Sequence, residues 1–295
     1  MTSEAAKDDD KWADTANLYV NQAARLTELH GADLVTLLKN EILQAKTILD
    51  IGCGTGAFAK AYLQQFPMGV PGQTLILSDF SAGILEQAKQ TVKPPEGCQT
   101  KIMFQEEDGT RLVGIIDDSI DIVVSLFGVF LIPDQDATRT AIQRVLAKPT
   151  GVLGIASWQF GISDALVKQG FGVSLQDAFE LPNKVIDPNE SMLGKVVKEW
   201  STHDAAKRIL SEKYKMSSVS VSSAIHTSVW EFEAMWTMMV KNPVSNIQGA
   251  SDSDVSRAKD ALLRFVTQDG KLSVADPLFL TSVSNLCIGR GTLLN

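Results

Sequence analysis

The sequence predicts an α/β protein with a doubly wound, Rossmann-like sheet whose strands are mostly parallel. Short apolar runs alternate with amphipathic helical stretches between residues 47 and 158, and a glycine-rich turn joins the first run to the helix that follows it. Strands that alternate with helices build parallel sheets covered on both faces. The composition agrees with a globular protein, because 44% of the residues are hydrophobic and 21% are charged.

Five predicted strands precede residue 160, and two more follow after the alternation ends. Each strand is a bounded apolar or alternating run, and each helix repeats apolar residues every three or four positions. Within 161–200, Pro182 and Pro188 are expected to break helices. The predicted strands cover 47–51, 74–78, 101–105, 120–125, 151–158, 217–225 and 279–288. The predicted helices cover 11–44, 57–66, 81–91, 136–147, 204–214, 228–241 and 252–267.

The chain is expected to form one domain over residues 1–295. Neither an internal repeat nor a linker rich in proline, glycine and serine interrupts it. Residues 1–45 are predicted to form an N-terminal helical lid. Residues 160–250 are predicted to supply inserted helices that cap the substrate pocket. The fold prediction is therefore a sheet domain with a helical cap.

Charge and composition limit the partners. With 27 basic and 35 acidic residues the net charge is −8, which argues against a nucleic-acid partner in the absence of a basic stripe. The longest apolar run, residues 122–132, is shorter than the ~20 residues that cross a bilayer, and residues 1–10 lack the features of a signal peptide. Three widely spaced cysteines suit a reduced compartment. We expect a cytoplasmic protein without membrane insertion, and the oligomeric state stays open.

A glycine turn carries the strongest functional signal. Residues 48–58 read ILDIGCGTGAF, and Gly52, Gly54 and Gly56 allow a sharp strand–helix turn that a ligand can approach closely. The spacing D-x-G-x-G-x-G differs from the G-x-G-x-x-G of dinucleotide-binding folds. Asp50 beside the turn suits a cationic ligand group, such as an amino-acid ammonium, better than a pyrophosphate.

Two further turns place acidic and apolar side chains at the same edge of the predicted sheet. Asp79 ends the second strand, where doubly wound folds use a carboxylate to bind ribose hydroxyls. Phe80 can lie against a purine ring, and the carboxylate in the Glu107–Gly109 turn can accept the exocyclic amine of adenine. The three turns therefore predict one adenosine-binding crevice.

These residues resemble the motifs of class I S-adenosylmethionine-dependent methyltransferases, most closely the UbiE/Coq5-like branch. The resemblance covers residues 45–160, and a weaker one, in residues 156–159 and the helix layout, is to fungal gliotoxin-type thiol methyltransferases. It implies S-adenosylmethionine as cofactor and a sheet of about seven strands with the last antiparallel. Carried over by position, it implies a cofactor site of Asp50, Gly52, Cys53, Gly54 and Gly56 at the methionine part, Asp79 at the ribose, Phe80, Asp108 and Gly109 at the adenine, and Ser125 and Phe127 near the sulfonium.

Apolar side chains outside the glycine turn are candidates for the acceptor pocket, although each also suits core packing. The helical stretch 230–239 is rich in methionine and aromatic residues, which make adaptable hydrophobic walls. The predicted substrate-binding residues are Trp12, Tyr19, Phe130, Trp158, Met235, Trp236 and Met239.

Neither a metal site nor a general base is predicted. His30, His203 and His226 are interpreted as surface or packing histidines. The acidic pairs 106–107 and 117–118 are sequence neighbours, whose side chains point apart on a strand or belong to a polar turn. Methyl transfer by in-line displacement requires mainly alignment and exclusion of water, so a missing base does not exclude catalysis.

The sequence therefore predicts methyl transfer from S-adenosylmethionine to a small, largely apolar molecule, such as a secondary metabolite or a quinone-like acceptor. The methylated atom stays open among sulfur, oxygen, nitrogen and carbon. One alternative is a methyltransferase-fold protein that binds without turnover. A second alternative, a nicotinamide-dependent oxidoreductase, fits the glycine spacing and Asp50 less well.

Overall fold

An eight-stranded sheet forms the centre of the protein, in a computed structural model that describes residues 24–159, 173–187, 199–242, 245–247, 249–268 and 278–292. The strands are β1 Thr47–Ile51, β2 Thr74–Asp79, β3 Lys101–Glu106, β4 Ile122–Leu126, β5 Val152–Trp158, β6 Val173–Ser174, β7 Met216–Trp230 and β8 Leu278–Thr292. The helices are α1 Ala24–Leu37, α2 Lys39–Ile42, α3 Ala57–Gln65, α4 Ala82–Thr91, α5 Gln135–Val145, α6 Leu175–Ile186, α7 His203–Arg208, α8 Phe232–Lys241 and α9 Asp252–Val266.

The strand order confirms the predicted fold class. Strands β3, β2, β1, β4 and β5 lie side by side and parallel, and β8 continues the sheet antiparallel to β5. Strand β7 pairs antiparallel with the other edge of β8. The short strand β6 pairs with β8 at Leu280 and Thr281, beyond the last residue that β5 covers. The carboxyl ends of the five parallel strands therefore share one edge, where doubly wound sheets bind ligands.

The core forms because the central strands are apolar on both faces. Ile48, Leu49, Leu75 and Val123 are fully buried, as expected for a parallel sheet covered on both sides. Helix α1 packs directly on the sheet: a Cβ atom at Gly154 of β5 would lie 3.5 Å from the Leu34 side chain of α1 and 2.8 Å from that of Leu38, which follows the helix. Among the described residues, no helix is long and apolar enough to cross a membrane.

Strands β7 and β8 form a two-stranded antiparallel ribbon that extends past the carboxyl edge of β5. The pairing of β5 with β8 ends at Trp158 and Ser284, whereas β7 and β8 stay paired to Trp230 and Leu278. The projecting part carries a second apolar cluster, which we call the cap cluster. It contains Leu26, Leu175, Ala178, Trp230, Phe232, Met235, Trp236, Met238, Met239, Ile247, Ala258, Leu262, Val266, Leu278 and Leu280.

Two sequence predictions are corrected here. Residues 228–230, predicted as the start of a helix, belong to β7, because their backbone continues the ladder with β8. Pro182, predicted to break a helix, lies inside α6. Leu175 and Ala178 of α6 are buried in the cap cluster. Tertiary packing of an amphipathic face therefore offsets the hydrogen bond that the proline removes.

Residues 1–45 are predicted to form a lid, but part of this segment is buried in the core. Leu34, Val35, Leu38 and Ile42 are fully buried in the main cluster. A lid function for the residues before Ala24, which lie outside the described residues, stays a prediction. In the 160–250 range, α6 and α8 contribute to the cap cluster, while β7 belongs to the sheet.

Replacing Gly56 with alanine should destabilise the protein more than the same change at Gly72. Both glycines have positive φ, +85° and +74°, so both variants carry about 1–2 kcal/mol of backbone strain. At Gly56 the new Cβ would also lie 2.3 Å from a Val92 methyl group, whereas at Gly72 it meets nothing within 4 Å. Overpacking should add about 1–3 kcal/mol at Gly56. Urea unfolding of both variants tests this, and equal losses would contradict it.

Candidate cofactor site

The three glycines in the turn between β1 and α3 differ in the space around them. Gly52, Gly54 and Gly56 all have positive φ, at +62°, +55° and +85°. A Cβ atom at Gly54 would meet nothing within 4 Å, so this glycine faces open space. At Gly52 a Cβ would lie 3.3 Å from Gly128. Only Gly54 therefore leaves room for a ligand to approach the backbone closely.

Cys53 within the turn is a packing residue. Its backbone N–H donates to the Ser78 carbonyl at 2.9 Å, which ties the turn to β2. Burial, with a contribution from the nearby Asp50 and Asp79 carboxylates, raises the pKa of the Cys53 thiol well above its usual value. A thiol that stays protonated is a poor nucleophile. Contact of Cys53 with the cofactor stays a prediction.

Asp50 at the end of β1 is an unusual buried acid. The side chain is fully buried, and neither carboxylate oxygen has a hydrogen-bond partner among the described residues. Burial, reinforced by the Asp79 charge, raises the pKa of Asp50 to about 8 from an ordinary 3.8. A buried carboxyl without a partner is costly. A ligand that brings a cationic or N–H donor group would remove this cost.

Asp79 joins the glycine turn to the start of α4. Its carboxylate accepts the backbone N–H of Gly54 at 3.0 Å and that of Ser81 at 3.1 Å. Ser81 in turn caps α4 by accepting the N–H of Ile84. Phe80, between these residues, is 55% exposed although it is a large apolar side chain. Asp79 thus fixes the turn while Phe80 offers a free ring surface beside it.

The turn after β3 rests on Glu107, whose structural role the sequence did not predict. Glu107 is buried, and its Oε1 accepts Gln105 Nε2 at 2.7 Å and the Gly114 N–H at 2.9 Å. Asp108 is exposed, and its Oδ1 accepts the N–H and hydroxyl of Thr110. Glu107 therefore holds the loop that presents Asp108.

Gly109 is needed for close packing in the same loop. A Cβ atom there would lie 2.6 Å from the Ile132 side chain. The segment that follows β4 therefore packs against the loop that follows β3. Contact of Asp108 and Gly109 with an adenine ring stays a prediction.

At the end of β4, Ser125 and Phe127 differ in what they offer a ligand. Ser125 is fully buried; its hydroxyl donates to the Ile51 carbonyl and accepts the Val129 N–H, both at 2.8 Å. It therefore joins β4 to β1. Phe127 has a φ of +61°, which is rare for an aromatic residue and is found at functional sites. Its ring stacks on Trp158 of β5, with centroids 3.8 Å apart.

His30 of α1 supports this aromatic pair. Its ring meets Phe127 and Trp158 edge-on, with centroids 5.5 and 5.6 Å apart. Its two nitrogens bond the hydroxyls of Ser282, at 2.9 Å, and Ser284, at 2.8 Å. Burial, with a smaller contribution from His226, lowers the pKa of His30 to about 3. A neutral histidine thus links α1, the aromatic pair and β8.

The remaining predicted substrate residues lie mostly in packed clusters. Phe130 is buried in the main core, and Met235, Trp236 and Met239 are buried in the cap cluster. Trp158 is partly exposed. Trp12 and Tyr19 lie outside the described residues. Contact of any of these side chains with a substrate stays a prediction.

Comparisons with known proteins show that about a third of the chain is similar to methyltransferases. Residues 48–151 match a family model described as a methyltransferase domain. A demethylmenaquinone methyltransferase of Lactobacillus johnsonii is 36% identical over 107 residues, which are 36% of this chain and 41% of that protein. An uncharacterized protein of Mycobacterium tuberculosis is 27% identical over 112 residues, 38% of this chain and 36% of that protein. The match thus spans less than half the length of these curated relatives.

Similarity of fold extends further than similarity of sequence. The crystal structure of a candidate methyltransferase from Bacillus halodurans superposes with a TM-score of 0.54 at 18% identity. It covers 88% of this chain and 99% of that chain. The sheet beyond residue 151 and the described helices therefore belong to the same general architecture.

Replacing Asp50 with asparagine should stabilise the ligand-free protein and flatten its pH dependence. The folded carboxyl keeps its proton up to about pH 8, whereas the unfolded one loses it near 3.8. The folded state therefore binds more protons in this window, and the free energy of unfolding of the wild type falls as pH rises from about 4 to 8.

At pH 8 the Asp50→Asn variant should exceed the wild type by about 2–5 kcal/mol in the free energy of unfolding. Urea unfolding between pH 4 and 9 measures this. Asp136→Asn, at an exposed residue paired with Arg139, is the control. A pH dependence of Asp50→Asn equal to that of the wild type would contradict the assignment.

Proposed function

We propose that this protein, whose residues 48–151 form a class I S-adenosylmethionine-dependent methyltransferase domain, transfers the methyl group of S-adenosylmethionine to a small, largely apolar acceptor. The cofactor supplies an electrophilic methyl group on a sulfonium. The proposal concerns the activity of the whole chain, including the parts that follow residue 151.

The observation that carries the proposal is the unpartnered Asp50 carboxylate beside the open face of Gly54. An amino-acid ammonium group is the donor that such a carboxylate lacks. A nucleotide pyrophosphate brings no donor for this carboxyl, and its negative charge would oppose ionisation of the buried acid. This unpartnered acceptor therefore fits a cofactor with a cationic amino-acid end.

The nucleoside end of the cofactor would lie against the next two turns. Asp79 ends β2 and has both oxygens directed at the glycine turn and the start of α4. We infer that ribose hydroxyls add to this set of hydrogen bonds. Phe80 provides an exposed ring for the purine, and Asp108 provides a second carboxylate oxygen for its amine.

The aromatic pair at the ends of β4 and β5 would surround the reacting end. Phe127 and Trp158 present π-electron faces and edges, which attract a cation such as a sulfonium. Packing by His30 holds both rings in place. Alignment of a nucleophile with the methyl carbon can supply about 7–11 kcal/mol of the barrier reduction. The apolar surroundings would exclude water, which competes as a nucleophile.

The class of methyl acceptor is inferred from the side chains proposed to surround the Phe127–Trp158 end of the crevice. Residues 1–45 and 160–250 are proposed to form the lid and cap of the acceptor pocket, and the described part of the cap is rich in methionine and aromatic side chains. The relative from Lactobacillus johnsonii is named for a menaquinone precursor. We infer a quinone-like or secondary-metabolite acceptor, and a cytoplasmic setting in which the three free cysteines stay reduced.

Calorimetry should show micromolar binding of S-adenosylmethionine and S-adenosylhomocysteine and no binding of NAD. Replacing Asp79 with asparagine removes a charged acceptor, so affinity should fall by about 1.5–3 kcal/mol, or roughly 10- to 150-fold. The exposed Asp136→Asn variant should bind like the wild type. Binding of NAD alone, or unchanged affinity in folded Asp79→Asn, would overturn this assignment.

Transfer itself is tested with methyl-labelled cofactor and a panel of thiols, phenols, amines and enols. We expect labelled product from at least one planar apolar acceptor. We also expect replacement of Phe127 by leucine to lower kcat more than cofactor affinity, because the ring lies at the reacting end. Cofactor binding without product from any acceptor would instead favour a non-catalytic binding protein.

A further inference from the structure

Three side chains that are far apart in the sequence meet beside the aromatic pair. They are His30 and Asp33 of α1 and His226 of β7. We propose that these three residues form a binding site for a divalent transition-metal cation, with Zn²⁺ as the best match. The cation would fasten α1 to β7. This site is separate from the glycine turn and does not depend on the proposed methyl transfer.

The geometry of the cluster follows from the helix and the strand that meet there. His30 and Asp33 are three residues apart on α1, so they share one face of the helix. His226 lies opposite Ser282 in the β7–β8 ladder, on the strand beside this face. Asp33 Oδ2 lies 2.6 Å from His226 Nε2, and the two histidine rings are 4.6 Å apart, edge to face. The potential ligand atoms all lie within 4.8 Å of one another.

The donor set is one that transition metals prefer. Two imidazoles and one carboxylate bind Zn²⁺ and related cations, with bonds of about 2.0–2.2 Å. Rotations of the three side chains would bring their ligand atoms to that distance from a common centre. Asp33 and His226 are partly exposed, whereas His30 is buried. Water can therefore reach the fourth coordination position, and the third protein ligand is held rigidly.

His30 already has the outer hydrogen bond that a metal-bound histidine needs. A ligating imidazole usually donates its other N–H to a nearby oxygen, which fixes the tautomer. Here Nδ1 lies 2.8 Å from the Ser284 hydroxyl, which can accept that proton. Nε2, on the side of Ser282, would then carry the free electron pair for the cation.

Ser282 has a second partner that allows this exchange. Its hydroxyl lies 2.9 Å from His30 Nε2 and also 3.3 Å from the backbone carbonyl of His226. When a cation takes the electron pair of Nε2, the hydroxyl can donate fully to this carbonyl. No buried donor is left without a partner, so binding carries no such cost at Ser282.

The cation would replace a direct hydrogen bond between Asp33 and His226. Both arrangements join α1 to β7, but metal–ligand bonds also include His30. His30 contacts Phe127 and Trp158. A bound cation would therefore stiffen the side of the crevice where we place the methyl acceptor.

Titration of tag-free, chelator-treated protein with ZnCl₂ tests the site by calorimetry. Co²⁺ reports on the ligand field through its visible absorption. The wild type should bind one equivalent, and His226→Gln and Asp33→Asn should each lower the affinity at least about 100-fold, because loss of a direct ligand exceeds the effect of an outer one. Zn²⁺ should raise the Tm of the wild type and not that of these variants.

His203→Gln is the matched control. His203 also bonds a serine hydroxyl of β7, that of Ser223 at 2.9 Å, but it lies outside the cluster. It should bind Zn²⁺ like the wild type. Absence of binding by the wild type, full binding by folded His226→Gln and Asp33→Asn, or loss in His203→Gln would each overturn the proposal. Far-UV circular dichroism and urea unfolding show that each variant is folded. Binding of S-adenosylmethionine, measured separately, keeps failure of this proposal distinguishable from failure of the proposed function.

Discussion

A carboxyl group buried without a partner is the constraint on which the crevice depends. Asp50 is fully buried in β1, between β2 and β4, so the rest of the site must support it with little help from water. Asp79 lies close enough to raise the Asp50 pKa further, yet its own charge is stabilised by two backbone N–H groups. One acid is thus kept ready for a donor, while its neighbour holds the turn. The unpartnered carboxyl lowers the stability of the ligand-free protein.

Helix α1 both packs on the sheet and contacts the aromatic pair and the cap cluster. Its carboxyl-terminal half packs on the sheet through Leu34, where Gly154 allows close approach. Its amino-terminal half carries His30 to the aromatic pair and Leu26 to the cap cluster. A helix anchored at one end and functional at the other can position side chains more precisely than a loop. The projecting part of the paired strands β7 and β8 likewise anchors the cap cluster to the sheet.

The sheet and the turns at its carboxyl edge were predictable because their signals are local. Apolar runs bounded by turns marked the strands, and Gly52 to Gly56, Asp79 and Asp108 follow strands whose carboxyl ends share one edge. Predictions failed where distant packing decides the backbone. Residues 228–230 pair with a strand some fifty residues later, and Pro182 is kept helical by contacts with α9. Neither neighbour can be read from the local sequence.

The sequence by itself therefore determined the doubly wound sheet and the cofactor class that its turns resemble. Only the tertiary structure decided which side chains meet at the other end of the crevice. His30 reaches Ser282 and Ser284 across more than 250 residues of chain, and His226 reaches Asp33 across 193. Such contacts depend on where α1 packs on the sheet relative to the paired strands β7 and β8. Periodicity fixes which face of an element is buried, but it carries no information about which distant element covers that face.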